Sequence, residues 1–241
     1  MSAHRDLTRG DGRLRIATWR GDTTTAYLTP ARGRLTAAVI ERSLGELERD
    51  GYRSALTAAL GPAEQAPFLA AGFSVREHLH LLTRSIGLPL PPSLDDVPLR
   101  RSRRGDREQL LTVDRAAFPP FWRLDGAGLD DALAATPSSR LRVSDRPDGS
   151  PGLGAYAVTG RAGPRGYLQR LAVDPGLQRR GIGSALVVDA LRWLRRWGAR
   201  EALVNTQEDN SAALALYESL GFRLQAEGLA VLRRAVHEGD S

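Results

Sequence analysis

Leu171-Ala-Val-Asp-Pro-Gly-Leu-Gln-Arg-Arg-Gly-Ile-Gly-Ser-Ala-Leu186 reads as the end of a buried strand, a turn at Asp174-Pro175, a glycine-bearing loop and a helix starting near Ile182. The first turn of a helix carries N–H groups without intrahelical partners and about half a unit of positive charge, so it attracts phosphate. Gly181 and Gly183 lack a Cβ and let a diphosphate approach the main chain, while Arg179 and Arg180 add charge at the same mouth. An anion site at a strand-to-helix junction sets the fold class as α/β.

Two other phosphate loops are excluded by the residues themselves. A Walker loop needs Gly-Lys-Ser/Thr, and the chain contains no lysine. A dinucleotide fingerprint needs a third small residue where this chain has Leu186.

What remains, Gln178-Arg-Arg-Gly-Ile-Gly183 after Leu-Ala-Val-Asp-Pro, resembles the acetyl-CoA loop of the GCN5-related N-acetyltransferase (GNAT) superfamily, Gln/Arg-x-x-Gly-x-Gly/Ala. A second block follows at the family's spacing: Asn205, then Asn210-Ser-Ala-Ala-Leu-Ala-Leu-Tyr217-Glu-Ser-Leu-Gly221-Phe222. The resemblance spans roughly residues 97–236, with its specific residues confined to 171–222. It implies acetyl-CoA as cofactor, held by Leu171, Ala172, Val173, Gln178, Arg179, Arg180, Gly181, Ile182, Gly183, Ser184, Asn210 and Tyr217. Leu171 and Val173 would act through their backbone, pairing the pantetheine arm as an added strand; both also read as plain core residues.

Composition narrows the chemistry further. The chain has 241 residues, 41% of them hydrophobic, enough for one large domain or two small ones. Cysteine is absent, which excludes disulfides, thiolate metal sites and cysteine nucleophiles. No apolar h-region opens the sequence and no run approaches about 18 apolar residues, so the expectation is a cytoplasmic protein without a membrane partner. The net charge of +6 comes from 34 basic residues, all arginine; codon bias or an anionic ligand would each produce it. The densest run, Arg100-Arg-Ser-Arg-Arg-Gly-Asp-Arg107, lacks interleaved aromatics and reads as a solvated edge rather than a nucleic-acid site. His4, His78, His80 and His237 form no metal-ligand spacing.

The proline-rich Ile86–Pro98 stretch marks a connection between two domains. Residues 98–241 read as the catalytic GNAT domain, a mixed sheet with helices on both faces, preceded by a linker at 89–97. Its strands are expected near 98–102, 139–145, 152–160, 165–173 and 200–205, with a final strand pair across 222–235; its helices lie near 106–118, 126–135, 182–197 and 210–220. Residues 1–88 read as a truncated, degenerate copy of the same half-fold. Placing Gly72-Phe73 on Gly221-Phe222 sets Phe68 against Tyr217 and Gly61 against Asn210, so the copy keeps the apolar frame and loses the polar groups. Its loop before the first helix, Thr29–Leu35, has no Gly-x-Gly. An unrelated αβ cap is the competing reading of this half.

Acetyl transfer to an amine needs an oriented thioester, an oxyanion donor, a neutral amine and a proton for the departing thiolate. Tyr217 is the candidate acid: a phenol of pKa about 10 can protonate a thiolate whose conjugate acid lies near about 8.5. Packing against Phe222 is its competing reading, while Asn210 reads equally as a helix cap or a CoA ligand. Glu208 is the candidate base, against a role as a helix-start charge; where some family members carry a strand glutamate, this chain has Tyr167. Deprotonating a lysine of pKa about 10.4 at neutral pH costs roughly 4 to 5 kcal/mol, an α-amine near 8 only about 1. The absent strand glutamate therefore favours an amine of low pKa.

The segment Phe118-Pro-Pro-Phe-Trp-Arg-Leu-Asp125 lies where the family builds its acceptor wall, giving Phe118, Trp122 and Arg123 as candidate substrate contacts. The reading is an N-acetyltransferase acting by direct transfer on a peptide N-terminal or small-molecule amine. The alternatives are a tandem GNAT of the mycothiol-synthase kind, acting on a small amino-sugar thiol precursor, and a non-catalytic acyl-CoA sensor. The remaining partner class is a second copy of the chain, as a homodimer.

Overall fold

The computed structural model describes residues 5–9, 12–92 and 97–236. In chain order the elements are β1 (Arg5–Arg9), β2 (Gly12–Trp19), β3 (Asp22–Arg32), α1 (Ala37–Arg49), β4 (Ser54–Thr57), α2 (Pro62–Ala70), β5 (Ser74–Ser85), β6 (Leu99–Arg101), α3 (Arg107–Ala117), α4 (Gly126–Ala134), β7 (Ser138–Asp145), β8 (Leu153–Ala162), β9 (Arg165–Val173), α5 (Ile182–Arg196), β10 (Glu201–Gln207), α6 (Ser211–Ser219), β11 (Arg223–Leu224) and β12 (Leu229–Ala235). Two compact units result. The first holds residues up to His80 with 207–209 and 226–241; the second holds 81–206 and 210–225.

In the second unit the strands run β5-β10-β9-β8-β7-β6, with β11 paired to β5. Every residue of β8 from Leu153 to Gly160 is buried, as expected of a strand covered on both faces. On one face Leu110 and Val113 of α3 and Leu129 of α4 pack with Val143, Tyr156, Val158 and Ala172. On the other, Ile182 and Leu186 of α5 pack against Ala155, Ala157 and Leu177. Val187, Ala190, Leu191 and Leu194 follow at helical spacing and are 0–2% exposed.

In the first unit the order is β1-β2-β3-β4-β12, with β12 also antiparallel to the start of β5. The helix–strand–helix–strand order α1-β4-α2-β5 matches α5-β10-α6-β11. The correspondence holds at single residues. Gly72 and Gly221 have φ +76° and +83°; Phe68 meets Phe73 at 5.2 Å and Tyr217 meets Phe222 at 5.6 Å between ring centroids; Gly61 and Asn210 stand at the N-caps of α2 and α6.

Three details differ from the sequence reading. The segment at 29–35 is strand as far as Arg32, where β3 pairs with β2. The last two strands do not pair with each other: β11 lies on β5, while β12 lies between β4 and β5 and sends Ala230 and Leu232 into the core of the first unit. The proline-rich segment begins packed rather than free. Ile86 is buried, Leu90 lies against the second unit's core, and Arg84 donates to the carbonyls of Leu220 (2.8 Å), Ser85 (3.0 Å) and Pro89 (2.6 Å). Residues 93–96 of the linker, and His4 and His237, lie outside the described residues.

Candidate active site

β9 is the element from which the site is built. On one side it pairs with β8 along its length, from Arg165↔Ala162 to Val173↔Ala155, with an irregularity at Gln169. On the other it pairs in parallel with β10 only at Arg165, Gly166 and Tyr167. From Leu168 to Val173 the β10-facing edge of the strand has no strand partner among the described residues. Its outward peptide groups are therefore open to an extended ligand. Ala172 points into the α3 side of the core, while Leu171 and Val173 line the α5 side, half-buried.

The strand delivers this edge straight into the loop. Asp174 accepts from the Gly176 N–H at 2.9 Å and from Arg146 at 2.8 Å; the Arg146 guanidinium holds its carboxyl below the usual carboxylate range. Leu177 is buried and anchors the loop, leaving Gln178, Arg179 and Arg180 exposed. The Gln178 amide donates back to the Val173 carbonyl at 3.4 Å. Arg179 sits in the left-handed region at φ +63°, a strained conformation for a residue with a Cβ.

Gly181 follows at φ +78° and is the N-cap of α5, with no side chain capping the first turn. The N–H groups of Ile182, Gly183 and Ser184 therefore face out of the helix end without a partner among the described residues. A Cβ on Gly183 would lie 3.3 Å from Leu216 of α6 and 3.8 Å from Val173. Strand end, loop and α6 thus converge on Gly183.

α6 carries the remaining predicted groups of this side. The Asn210 carbonyl oxygen caps the helix, accepting from the Ala213 N–H at 3.1 Å. Tyr217, one residue beyond Leu216, is 5% exposed and packs on Phe222. Burial pushes its phenol above the ordinary value, so it stays protonated at rest and is a weaker acid than a free tyrosine. Packing and a protonated hydroxyl coexist in one residue. Glu208 is exposed in the turn before Asn210 and groups with the first unit, whereas Tyr217 groups with the second.

The opposite face of β9 carries an arrangement that the sequence reading missed. Asp114 of α3 is fully buried. It accepts from Arg170 Nε and Nη2 at 2.8 and 2.9 Å, from the Tyr156 hydroxyl at 2.5 Å and from the Leu124 N–H at 2.7 Å. Arg170 also donates to the Trp122 carbonyl at 2.6 Å and lies 3.5 Å over the Phe118 ring. Arg123 is exposed and donates to the Phe118 carbonyl at 3.0 Å. The 118–125 segment is thereby fixed to β9 by its backbone. A signal existed: Leu110, Val113, Asp114 and Ala117 share one helical face, and a carboxylate inside an apolar stripe must have a partner.

Known proteins carry the same pattern. A model described as the acetyltransferase (GNAT) family matches residues 130–222. The mycothiol acetyltransferase of Gordonia bronchialis is 30% identical over 226 residues, covering 82% of this chain and 73% of that protein. The chain belongs to the acetyltransferase (GNAT) family. A mycothiol acetyltransferase from Nocardioides sp. is 29% identical over 215 residues, 80% of this GNAT chain and 73% of the relative. Against the relative from Acidothermus cellulolyticus the chain spans 56% of the length. A solved tandem GNAT protein from the clavulanic acid biosynthesis pathway shares the fold over 98% of this chain, with a TM-score of 0.70 at 14% identity. The likenesses describe a GNAT fold, in the solved case a tandem one.

GNAT enzymes use acetyl-CoA, and the residues present suit it: an open strand edge, an uncapped helix turn, and a glycine where α6 leaves little room for a side chain. Among the described residues no helix is long and apolar enough to cross a membrane, and no three metal-ligating side chains are grouped.

Proposed function

We propose that this GNAT acetyltransferase moves the acetyl group of acetyl-CoA directly to a primary amine within a ternary complex. One observation carries the reading: the edge of β9 is open from Leu168 to Val173 and ends at the uncapped first turn of α5. The main chain at Leu171–Val173 would align the pantetheine arm and polarise the thioester carbonyl. The loop Gln178–Ser184 would hold the diphosphate, with Arg179 and Arg180 adding charge and Asn210 contributing its amide nitrogen. Tyr217 would deliver the proton to the departing thiolate. Phe118 and Trp122, held by Arg170, would form the acceptor wall together with Arg123.

Glu208 enters this reading only as an exposed carboxylate preceding Asn210. With Tyr167 where a strand glutamate would stand, proton removal from the amine falls to water, which suits an acceptor of low pKa. A peptide α-amine meets that condition. A small amino-sugar thiol precursor is the second reading, favoured by the name that the relatives share.

Initial rates with an N-terminal peptide and with the amino-sugar thiol precursor, at saturating acetyl-CoA, separate the two acceptors. Turnover with neither, alongside intact acetyl-CoA binding, would favour an acyl-CoA sensor. Isolation of a kinetically competent acetyl-enzyme would overturn direct transfer.

A further inference from the structure

We propose that the second unit carries another anion site, a cleft that binds the nucleotide unit, flat base and phosphate together. It lies at the far end of α5 from the Gly-x-Gly loop: Ile182 to Trp193 spans about 16 Å at 1.5 Å per residue. Two cavities of 380 and 710 Å³ share Arg101, Arg140, Trp193 and Trp197 as walls.

The walls combine two chemistries. Trp193 in the last turn of α5 and Trp197 at its C-cap stand with ring centroids 6.5 Å apart, and Trp197 is 57% exposed. An exposed indole of that size in an otherwise polar groove is a stacking surface for a planar ring. Around it, Arg101, Arg103, Arg104 and Arg196 are exposed and make no ion pair among the described residues. Arg140 and Arg142 deepen the groove and are engaged by Asp189; Asp106 and Asp145, both held by Arg100, also act on Arg103. Counting Arg100, seven guanidinium groups against the three carboxylates Asp106, Asp145 and Asp189 leave a local excess of positive charge. A second copy presenting the same face would be repelled, so the occupant is an anion, and the tryptophans call for one that carries rings.

The arginine run at 100–107 lacks aromatics in sequence, and part of it is an edge: Arg100 is held by Asp106 and Asp145. The fold supplies the missing rings from α5, far along the chain. Free nucleotides and single-stranded nucleic acid share the base-and-phosphate chemistry, and the test separates them.

The full chain without CoA, whose adenine and phosphates would themselves compete for the cleft, and its Gly181→Asp variant, in which a carboxylate blocks the Gly-x-Gly loop, are titrated with fluorescein-labelled oligo(dT) and with UDP across a salt series. Engagement of four arginines predicts a slope of log affinity on log salt of about −3 for the strand. Trp197→Ala is expected to weaken binding about ten-fold, and Arg101→Ala with Arg103→Ala to reduce the slope by about 1.4. Acetyl-transfer rates should stay at the wild-type level in both variants, which also reports that they fold. Strand binding with UDP about a hundred-fold weaker assigns a polymer; comparable affinities assign a free nucleotide. Absence of both ligands at low salt, unchanged binding by Trp197→Ala, or equal displacement by polyglutamate of the same length would overturn the proposal.

Discussion

Asp114 and Arg170 form a two-pronged ion pair in which both carboxylate oxygens are engaged, at 2.8 and 2.9 Å, with Asp114 fully buried. The pair links α3 to the strand that carries the open edge and, through Trp122 and Leu124, to the segment expected to contact the acceptor. Losing one member of a buried pair leaves the other charge uncompensated and costs about 3 to 5 kcal/mol. Asp114→Asn should lower the melting temperature accordingly and raise KM for the amine more than KM for acetyl-CoA. An unchanged acceptor KM in a folded variant would leave the pair a purely structural role.

Tyr217→Phe should lower kcat about 10²-fold while acetyl-CoA affinity stays within about two-fold, because only the hydroxyl is removed from a packed ring. Burial raises the phenol above its ordinary value. The alkaline side of the kcat profile should therefore show no loss from Tyr217 ionisation below about pH 10. The acidic limb should report the acceptor amine, near about pH 8 for an α-amine and about 10 for a lysine. A rate of Tyr217→Phe equal to wild type would remove the tyrosine from the chemistry.

Arg179 separates stability from function. Its φ of +63° is unfavourable for a side chain bearing a Cβ, and replacement by glycine should add about 0.5 to 1 kcal/mol of stability. The same change removes a cation from the phosphate mouth, so CoA affinity should fall about five-fold and depend less on salt. A loss of stability in Arg179→Gly would show that the side chain holds the loop.

Asp106 is held below the usual carboxylate range chiefly by hydrogen bonds from Arg100, whose guanidinium also engages Asp145. A depressed carboxylate contributes stability above its unfolded pKa of about 3.9 and loses it as pH falls through the lower folded value. The melting temperature should drop steeply below about pH 4, and Asp106→Asn should flatten that part of the curve. A variant with the wild-type slope would place the acid sensitivity elsewhere.

Arg84 is 3% exposed and satisfied entirely by carbonyls, including the end of α6 at Leu220 and the linker at Pro89. Arg84→Met should cost about 2 to 4 kcal/mol through orphaned acceptors, and should raise amide exchange in residues 217–222 first. Unchanged exchange there would refute its role as the clasp on α6.

Much of this architecture is legible in the sequence because short-range rules govern it. The helix starting at Ile182, the termination at Gly198 and the matched Gly72-Phe73 and Gly221-Phe222 are all set by spacing and turn chemistry. The placement of β12 is not, because Ala230 and Leu232 read as core residues of either half until a partner strand is chosen. The Asp114–Arg170–Tyr156 network is hidden for the same reason: its members lie 42 and 56 residues from Asp114 along the chain. The loop residues 178–184 follow from local spacing, whereas Glu208 rests on nothing but its nearness in sequence to Asn210.

Calorimetric titration of the protein with acetyl-CoA, beside Gly181→Asp, decides whether the loop before α5 holds the cofactor. One micromolar site per chain is expected, abolished in the variant because the substitution puts a carboxylate at the phosphate mouth. No binding by the wild type, or equal binding by the variant, would contradict that role for the loop.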